Sequence, residues 1–121
     1  MTTNAAPGAE PDPEDAKLIT LARSARARSG SASGAAVRDE TGRTYAAVDV
    51  RFDSFGLTAL QLAVAMAASS GAAALEAAAV VCPQASLTAD ELAAAWDLKA
   101  AQVLLAAPDG SLNVRYTSAD S

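Results

Sequence analysis

The sequence predicts an α/β protein with a mixed sheet of five strands and about three helices. Helix-start signals precede three stretches of helical character, and shorter apolar or alternating stretches lie between them. Residues 77–82 are apolar without interruption, which is typical of a strand covered on both faces. A long helix separates this strand from a preceding hairpin, and such a crossover connection predicts a mixed sheet.

The N-terminal residues divide into a lead-in and a helix. Residues 1–12 are small and polar and contain proline, which predicts a disordered lead-in before a domain that spans residues 13–117. Asp12 can cap the first helix, and Pro13 suits its first position because the missing N–H would have no partner there. Residues 118–121 are predicted to be a tail.

A hairpin and a buried helix follow. Residues 34–38 and 43–51 are predicted strands, joined by a turn in which Gly42 supplies a positive φ. The second helix begins at Thr58, where Gln61 can complete a capping box. This helix is apolar nearly all round, which predicts that it is buried in a core or against other subunits.

The C-terminal half supplies a further helix and the remaining strands. Thr88 and Glu91 can form a capping box for a third helix that reaches Trp96, a residue expected in the core or an interface. The predicted strands are residues 77–82, 102–106 and 112–116. Cys82 at the end of the first of these is interpreted as a small buried hydrophobe, with a residual metal ligand or a reactive thiol as the alternative.

Composition limits the function classes. The net charge of −5 argues against general nucleic-acid binding, which needs a basic surface. The sequence has no secretory signal and no apolar stretch long enough to span a membrane, so a cytoplasmic location is expected. Hydrophobic residues make up 51%, but only 4% are aromatic and many are alanine, so the core is thin. We therefore expect a homo-oligomer, a dimer or a tetramer, with any other protein partner unknown.

Three short motifs occur in a characteristic order. Residues 34–37 read Gly-Ala-Ala-Val, residues 49–51 read Asp-Val-Arg, and residues 54–58 read Ser-Phe-Gly-Leu-Thr before the long helix. The order resembles that of the small zinc-dependent cytidine deaminases over roughly residues 14–117, including the Pro-Asp-Gly turn at 108–110. The resemblance implies a three-layer α/β/α cytidine deaminase-like fold and packing as a homotetramer.

The residues that carry the family's chemistry are replaced. Family enzymes place a zinc ligand at the position of Leu60 and a proton-shuttling glutamate at that of Leu62, and leucine can serve in neither role. The family's second zinc motif is Pro-Cys-x-x-Cys, whereas residues 82–91 contain a single cysteine. The sequence therefore predicts no catalytic residue, no metal site and no cofactor.

The family's nucleoside contacts are altered as well. Its ribose-binding asparagine and glutamate correspond to Asp49 and Arg51, which would lie on one face of a strand. With Phe55, these residues form a predicted degenerate ligand pocket. Asp49 and Arg51 could pair with each other and close the pocket from inside, and the alternative is a solvated or partly buried ion pair with no ligand.

Three functions are consistent with these residues. The favoured hypothesis is a cytidine deaminase-like protein that is catalytically inactive and acts as an oligomeric scaffold or interaction protein. The second is an active nucleoside deaminase with a rearranged metal site, built from Cys82, Asp90 and Glu91 or from ligands of another subunit. The third is a sensor that binds a nucleoside-type ligand without chemistry.

Overall fold

The computed structural model describes residues 3–118. The strands are β1 (Thr3–Pro7), β2 (Gly34–Asp39), β3 (Thr44–Val48), β4 (Val50–Arg51), β5 (Gly56–Leu57), β6 (Leu75–Val81), β7 (Val103–Ala106) and β8 (Leu112–Ser118). The helices are α1 (Pro13–Ser29), α2 (Ala59–Ser69) and α3 (Ala89–Asp97). Residues 1–2 of the predicted lead-in and 119–121 of the predicted tail lie outside the described residues.

The main sheet has six strands in the order β1-β8-β7-β6-β2-β3. Strands β6 and β7 pair in parallel through the α3 crossover, and the other pairs are antiparallel. Strands β4 and β5 form a separate two-stranded ribbon. The predicted α/β class, mixed sheet and three helices are confirmed, and the sheet has one strand more than the predicted five.

The additional strand is β1, in the segment where the sequence predicts a disordered lead-in. Its residues pair with β8 from Thr3 opposite Ser118 to Pro7 opposite Val114. The side chains of residues 4–7 are exposed, so the segment is held mainly by its backbone. A strand that buries no apolar side chain leaves no hydrophobic alternation in the sequence, and this is why the composition predicted disorder instead.

The sheet lies between two helical layers. Alternate residues of β6 point to opposite faces, as the two-residue period of a strand requires. Ala77, Ala79 and Val81 pack in the cluster that includes Leu18 of α1, on one face of the sheet. The other face carries the cluster that packs against α2 and α3, which contains the remaining alternate residues Ala78, Val80 and Cys82. The predicted α/β/α layering is confirmed.

All three predicted helix caps are present. The Asp12 carboxylate accepts from the backbone N–H of Asp15 at 2.9 Å. Capping boxes join Thr58 to Gln61 and Thr88 to Glu91. These caps fix where α2 and α3 begin, and both helices begin beside the same end of the sheet.

The predicted strand at residues 43–51 is not continuous, because it is interrupted at Asp49. Strand β3 ends at Val48, and Asp49 belongs to no strand. The chain then leaves the main sheet for the β4–β5 ribbon, whose tip is closed by the backbone hydrogen bond from Phe52 N–H to the Phe55 carbonyl at 2.7 Å. Asp49 and Arg51 therefore belong to different substructures.

A polar network fastens the start of α1 to the sheet. Arg38 of β2 donates from Nε to Glu76 at 2.8 Å and from Nη2 to Asp15. Gln102 donates to the second oxygen of Asp15 at 2.8 Å and accepts from Arg115. The alternating sequence pattern did not predict these contacts, because each joins residues from separate elements.

Among residues 3–118, none of the helices has both the length and the apolar character needed to cross a bilayer.

Candidate functional site

A cleft opens where α2 and α3 begin. It lies beside the carboxyl ends of β3 and β6 and the residues that precede β2. Its volume is about 300 Å³. The lining residues are Ala32, Ser33, Asp49, Thr58, Cys82, Gln84, Ser86, Leu87, Thr88 and Glu91. In an open α/β sheet, this edge is the usual place for a ligand.

A second hollow of about 260 Å³ adjoins the cleft. It lies between the β4–β5 ribbon and the first turn of α2. Its lining residues are Asp49, Val50, Arg51, Gly56, Leu57, Thr58 and Gln61. Asp49 and Thr58 line both the cleft and the second hollow. The predicted contact residues Asp49 and Arg51 both line the second hollow, although they are not on one strand.

The predicted ion pair between Asp49 and Arg51 is not formed within the described part of the chain. Asp49 Oδ1 instead accepts from the backbone N–H and the hydroxyl of Ser33, each at 3.3 Å. The pairing prediction is wrong because it assumed one continuous strand, and the strand breaks at Asp49. Ser33 was missed because it lies in a small polar loop with no motif around it.

Phe55 lies at the tip of the β4–β5 ribbon. Its ring centroid is 5.2 Å from that of Phe52, and the two residues are 54% and 59% exposed. Phe55 is not among the residues that line either hollow. The two rings form an exposed apolar tip beside the cleft, and Phe52 had no role in the sequence prediction.

Leu60 and Leu62 both pack into the hydrophobic core on the α2 side of the sheet. Leu60 is 0% exposed and belongs to the core cluster between the sheet and α2. Leu62 is partly buried and packs against the same cluster. Helix α2 therefore presents hydrocarbon to its surroundings at both positions.

The cleft residues do not fit a zinc site of the family type. Within residues 3–118, no three His, Cys, Asp or Glu side chains lie close enough together to hold a metal ion. The Glu91 carboxylate accepts from the Thr88 backbone N–H and hydroxyl, each at 3.1 Å, and so serves the α3 cap. Asp90 is exposed, and Cys82 is buried. A catalytic zinc needs three protein ligands, so this donor set is insufficient.

Burial dominates the electrostatics of the Cys82 thiol. Desolvation raises its pKa above the ordinary value, because a thiolate loses its hydration there. The backbone N–H of Gln84 and the charge of Arg26 act in the opposite direction, and Glu91 raises the pKa further. The thiol is therefore protonated and weakly nucleophilic at neutral pH.

The chain resembles known proteins in both sequence and fold. The family model described as cytidine deaminase-like matches residues 11–110. No curated protein matches the chain by sequence. Among solved structures, a cytidine deaminase from Burkholderia pseudomallei is similar at 21% identity and a TM-score of 0.70, over 81% of this chain and 88% of that one.

Two mycobacterial structures are similar in the same way. The cytidine deaminase from Mycobacterium leprae has 19% identity and a TM-score of 0.61, over 81% of this chain and 88% of that chain. A point mutant of the Mycobacterium tuberculosis cytidine deaminase has 21% identity and a TM-score of 0.62, over 80% and 87%. At this identity, the structural matches establish the fold alone. The family model covers most of the chain, and the chain therefore belongs to the cytidine deaminase-like family.

Proposed function

We propose that this protein is a non-catalytic member of its family that acts as an oligomeric scaffold or interaction protein. The observation that carries the proposal is the enclosure of Leu60 in the core, at the position where family enzymes place a zinc ligand. Leu62 at the proton-shuttle position cannot transfer a proton. Without a metal-activated hydroxide, hydrolytic deamination of cytosine has no nucleophile in this cleft.

Several of the polar groups that line the cleft have structural duties. Thr58 and Thr88 cap α2 and α3, and Glu91 completes the second capping box. The single cysteine of the chain is buried with a raised pKa. These assignments account for Thr58, Thr88 and Glu91 without a catalytic role.

The catalytic part of the proposal is tested by metal content and turnover on one preparation. Full-length protein, purified without chelators, is analysed for zinc and assayed for cytidine conversion by ultraviolet absorbance at high protein concentration. Matched variants Cys82→Ser and Glu91→Gln are treated identically, with an active zinc cytidine deaminase as the positive control. We expect zinc far below one ion per chain and no conversion in all three proteins.

An active nucleoside deaminase with a rearranged metal site would give the opposite results for zinc content and turnover. In that case the wild-type protein holds one zinc per chain and converts cytidine, and Cys82→Ser or Glu91→Gln lowers both. That result overturns the proposal.

The assembly part rests on exposed apolar surface. Phe52 and Phe55 form an exposed aromatic tip, and Met66 of α2 is also exposed. Exposed apolar groups that lie together often mark a site of protein interaction. We expect light scattering to give a dimer or tetramer, and Phe52→Ser with Phe55→Ser to lower the subunit count. The control is Leu21→Ser, an exposed leucine on α1. A monomeric wild-type protein contradicts the scaffold proposal.

A second candidate function is favoured by one observation. Asp49 lines both hollows, and its two hydrogen bonds within residues 3–118 use only Oδ1, so Oδ2 is left to accept from a ligand hydroxyl. This is the arrangement of a nucleoside-type ligand sensor. A thermal-shift series with nucleosides tests it, since ligand at a hundredfold excess over Kd adds about 2.7 kcal/mol of stability. An equal response in the Asp49→Asn variant, or none in either protein, rejects Asp49 as the contact.

A further inference from the structure

The N-terminal strand β1 is attached to the sheet without entering the core. It pairs with β8 over residues 3–7, at one edge of the six-stranded sheet. The side chains of residues 4–7 are exposed, so little hydrophobic surface is removed from water when the segment docks. The net gain from each ladder hydrogen bond is comparable to the entropy lost by ordering each residue, so the docked state is only weakly favoured.

Two specific contacts nevertheless select this segment for this edge. The indole N–H of Trp96 donates to Thr3 Oγ1 at 3.0 Å. At the other end, the Gly8 N–H donates to the Asn113 carbonyl at 2.9 Å, and a Cβ added to Gly8 would lie 2.4 Å from the Leu112 carbonyl oxygen. Only glycine allows that close approach. The β8 edge is therefore shaped to receive residues 3–8.

The connection to the rest of the chain is short. Only residues 9–11 separate Gly8 from Asp12, which caps α1. Within the described chain, these three residues make no backbone hydrogen bond. Rotation about this linker can therefore release the strand without breaking any other regular contact. Short linkers that join a complete element to its domain are the usual hinges of exchanged segments.

The geometry points to an exchange of residues 3–8 between two copies of this chain, each copy placing its strand on the partner's β8 edge. The contacts in the exchanged dimer are the same as those seen within one chain, so the exchange costs no specific interaction and is driven by concentration. The segment that occupies the partner's β8 edge is identified as residues 3–8, because Trp96 contacts Thr3 and Leu112 contacts Gly8. The inference is independent of the proposed loss of catalysis, because neither the cleft nor a metal contributes to it.

Disulfide trapping between full-length chains tests the exchange. Asn4 and Thr117 are directly opposite in the β1–β8 register. In a Cys82→Ser background, tagged Asn4→Cys chains are mixed with untagged Thr117→Cys chains at micromolar concentration and mildly oxidised. We expect a disulfide between positions 4 and 117 of different chains, identified by gel mobility and peptide mass. The control mixture replaces Thr117→Cys by Thr44→Cys, on β3 at the opposite edge, and should trap several-fold less.

Two outcomes overturn the inference. In one, the mixed chains trap no more than the Thr44→Cys control, while the double variant Asn4→Cys with Thr117→Cys closes within one chain at every concentration. In the other, the double variant forms no disulfide either within or between chains, which would show that β1 does not pair with β8.

Variants of the linker and of Gly8 provide a second, independent test. Deletion of Ala9 and Glu10 prevents the strand from returning to its own β8 edge, so in the double variant Asn4→Cys with Thr117→Cys the ratio of inter-chain to intra-chain disulfide should rise several-fold. Gly8→Ala should lower the trapped fraction in both chain arrangements, because the added Cβ meets Leu112. A ratio unchanged by the deletion contradicts the exchange.

Discussion

Arg38 Nη2 lies 3.2 Å from Oδ1 of Asp15, a residue in the first turn of α1 that is only 2% exposed. Removal of the guanidinium leaves this buried charge without its cation. We expect Arg38→Met to lower the free energy of unfolding by about 2–3 kcal/mol. This is below the range for a fully buried pair, because Gln102 still donates to Asp15 and Arg38 retains some contact with water.

The control for this prediction is the other ion pair of Arg38. Glu76 is half exposed, so Glu76→Gln should cost less than about 1 kcal/mol. Urea denaturation followed by circular dichroism measures both variants. Equal losses in the two variants would contradict a special role for the buried carboxylate.

Leu60→Ala tests the role of Leu60 in the core. The side chain is fully enclosed, so its truncation should lower the free energy of unfolding by about 2–5 kcal/mol. Met66→Ala on the exposed side of the same helix should cost less than about 1 kcal/mol. The same denaturation measurement applies, and a near-neutral Leu60→Ala variant would mean that α2 does not pack as described.

The hairpin turn should weaken in acid. A hydrogen bond from the Thr41 hydroxyl, at 2.7 Å, is the main cause that lowers the pKa of Asp39, with further bonds from the backbone of Thr41 and Arg43. A depressed folded-state pKa adds stability above the unfolded value of about 3.9, and this stability is lost as the pH falls through the folded value.

The measurement is the melting temperature between neutral pH and pH 3, compared with Asp39→Asn. The variant keeps an acceptor at Oδ1 but cannot ionise, so it should start less stable and lose less on acidification. Parallel decreases in the two proteins would assign the acid sensitivity to other carboxylates.

Cys82 should react slowly with thiol reagents. Burial raises its pKa and also blocks access, although the residue borders the cleft. At pH 8, labelling by an aromatic disulfide should be several-fold slower in the native protein than in urea, and it should quicken as the pH rises. Native labelling as fast as that of unfolded protein would show an open, activated thiol.

The sequence predicted those features that depend on local chemistry. The starts of α2 and α3 could be predicted because each capping box lies within four residues of sequence, Thr58 with Gln61 and Thr88 with Glu91. Most of strand β6 was equally clear, because from residue 77 onward burial on both faces leaves no polar position, whereas its first residues, including the exposed Glu76, were not predicted.

The remaining features depend on residues distant in sequence. Strand β1 is held by pairing with β8 and by Trp96, which lies 93 positions from Thr3. The break at Asp49 depends on Ser33 and on the ribbon that follows. Periodicity within a short window carries no information about such contacts, so the position of Asp49 could be predicted near the cleft but not its partner.

The centre of the sheet determines where this protein can change during evolution. Ala77, Ala78 and Ala79 are each 0% exposed; Ala77 and Ala79 pack on the α1 side of the sheet, and Ala78 packs on the side of α2 and α3. A larger residue at any of these positions must push apart the sheet and the helical layer that the side chain faces, at a cost of roughly 1–3 kcal/mol for each overpacked position. Exposed residues at the rim of the cleft meet no such barrier, so the lining of the cleft can change while the alanine interior keeps the architecture fixed.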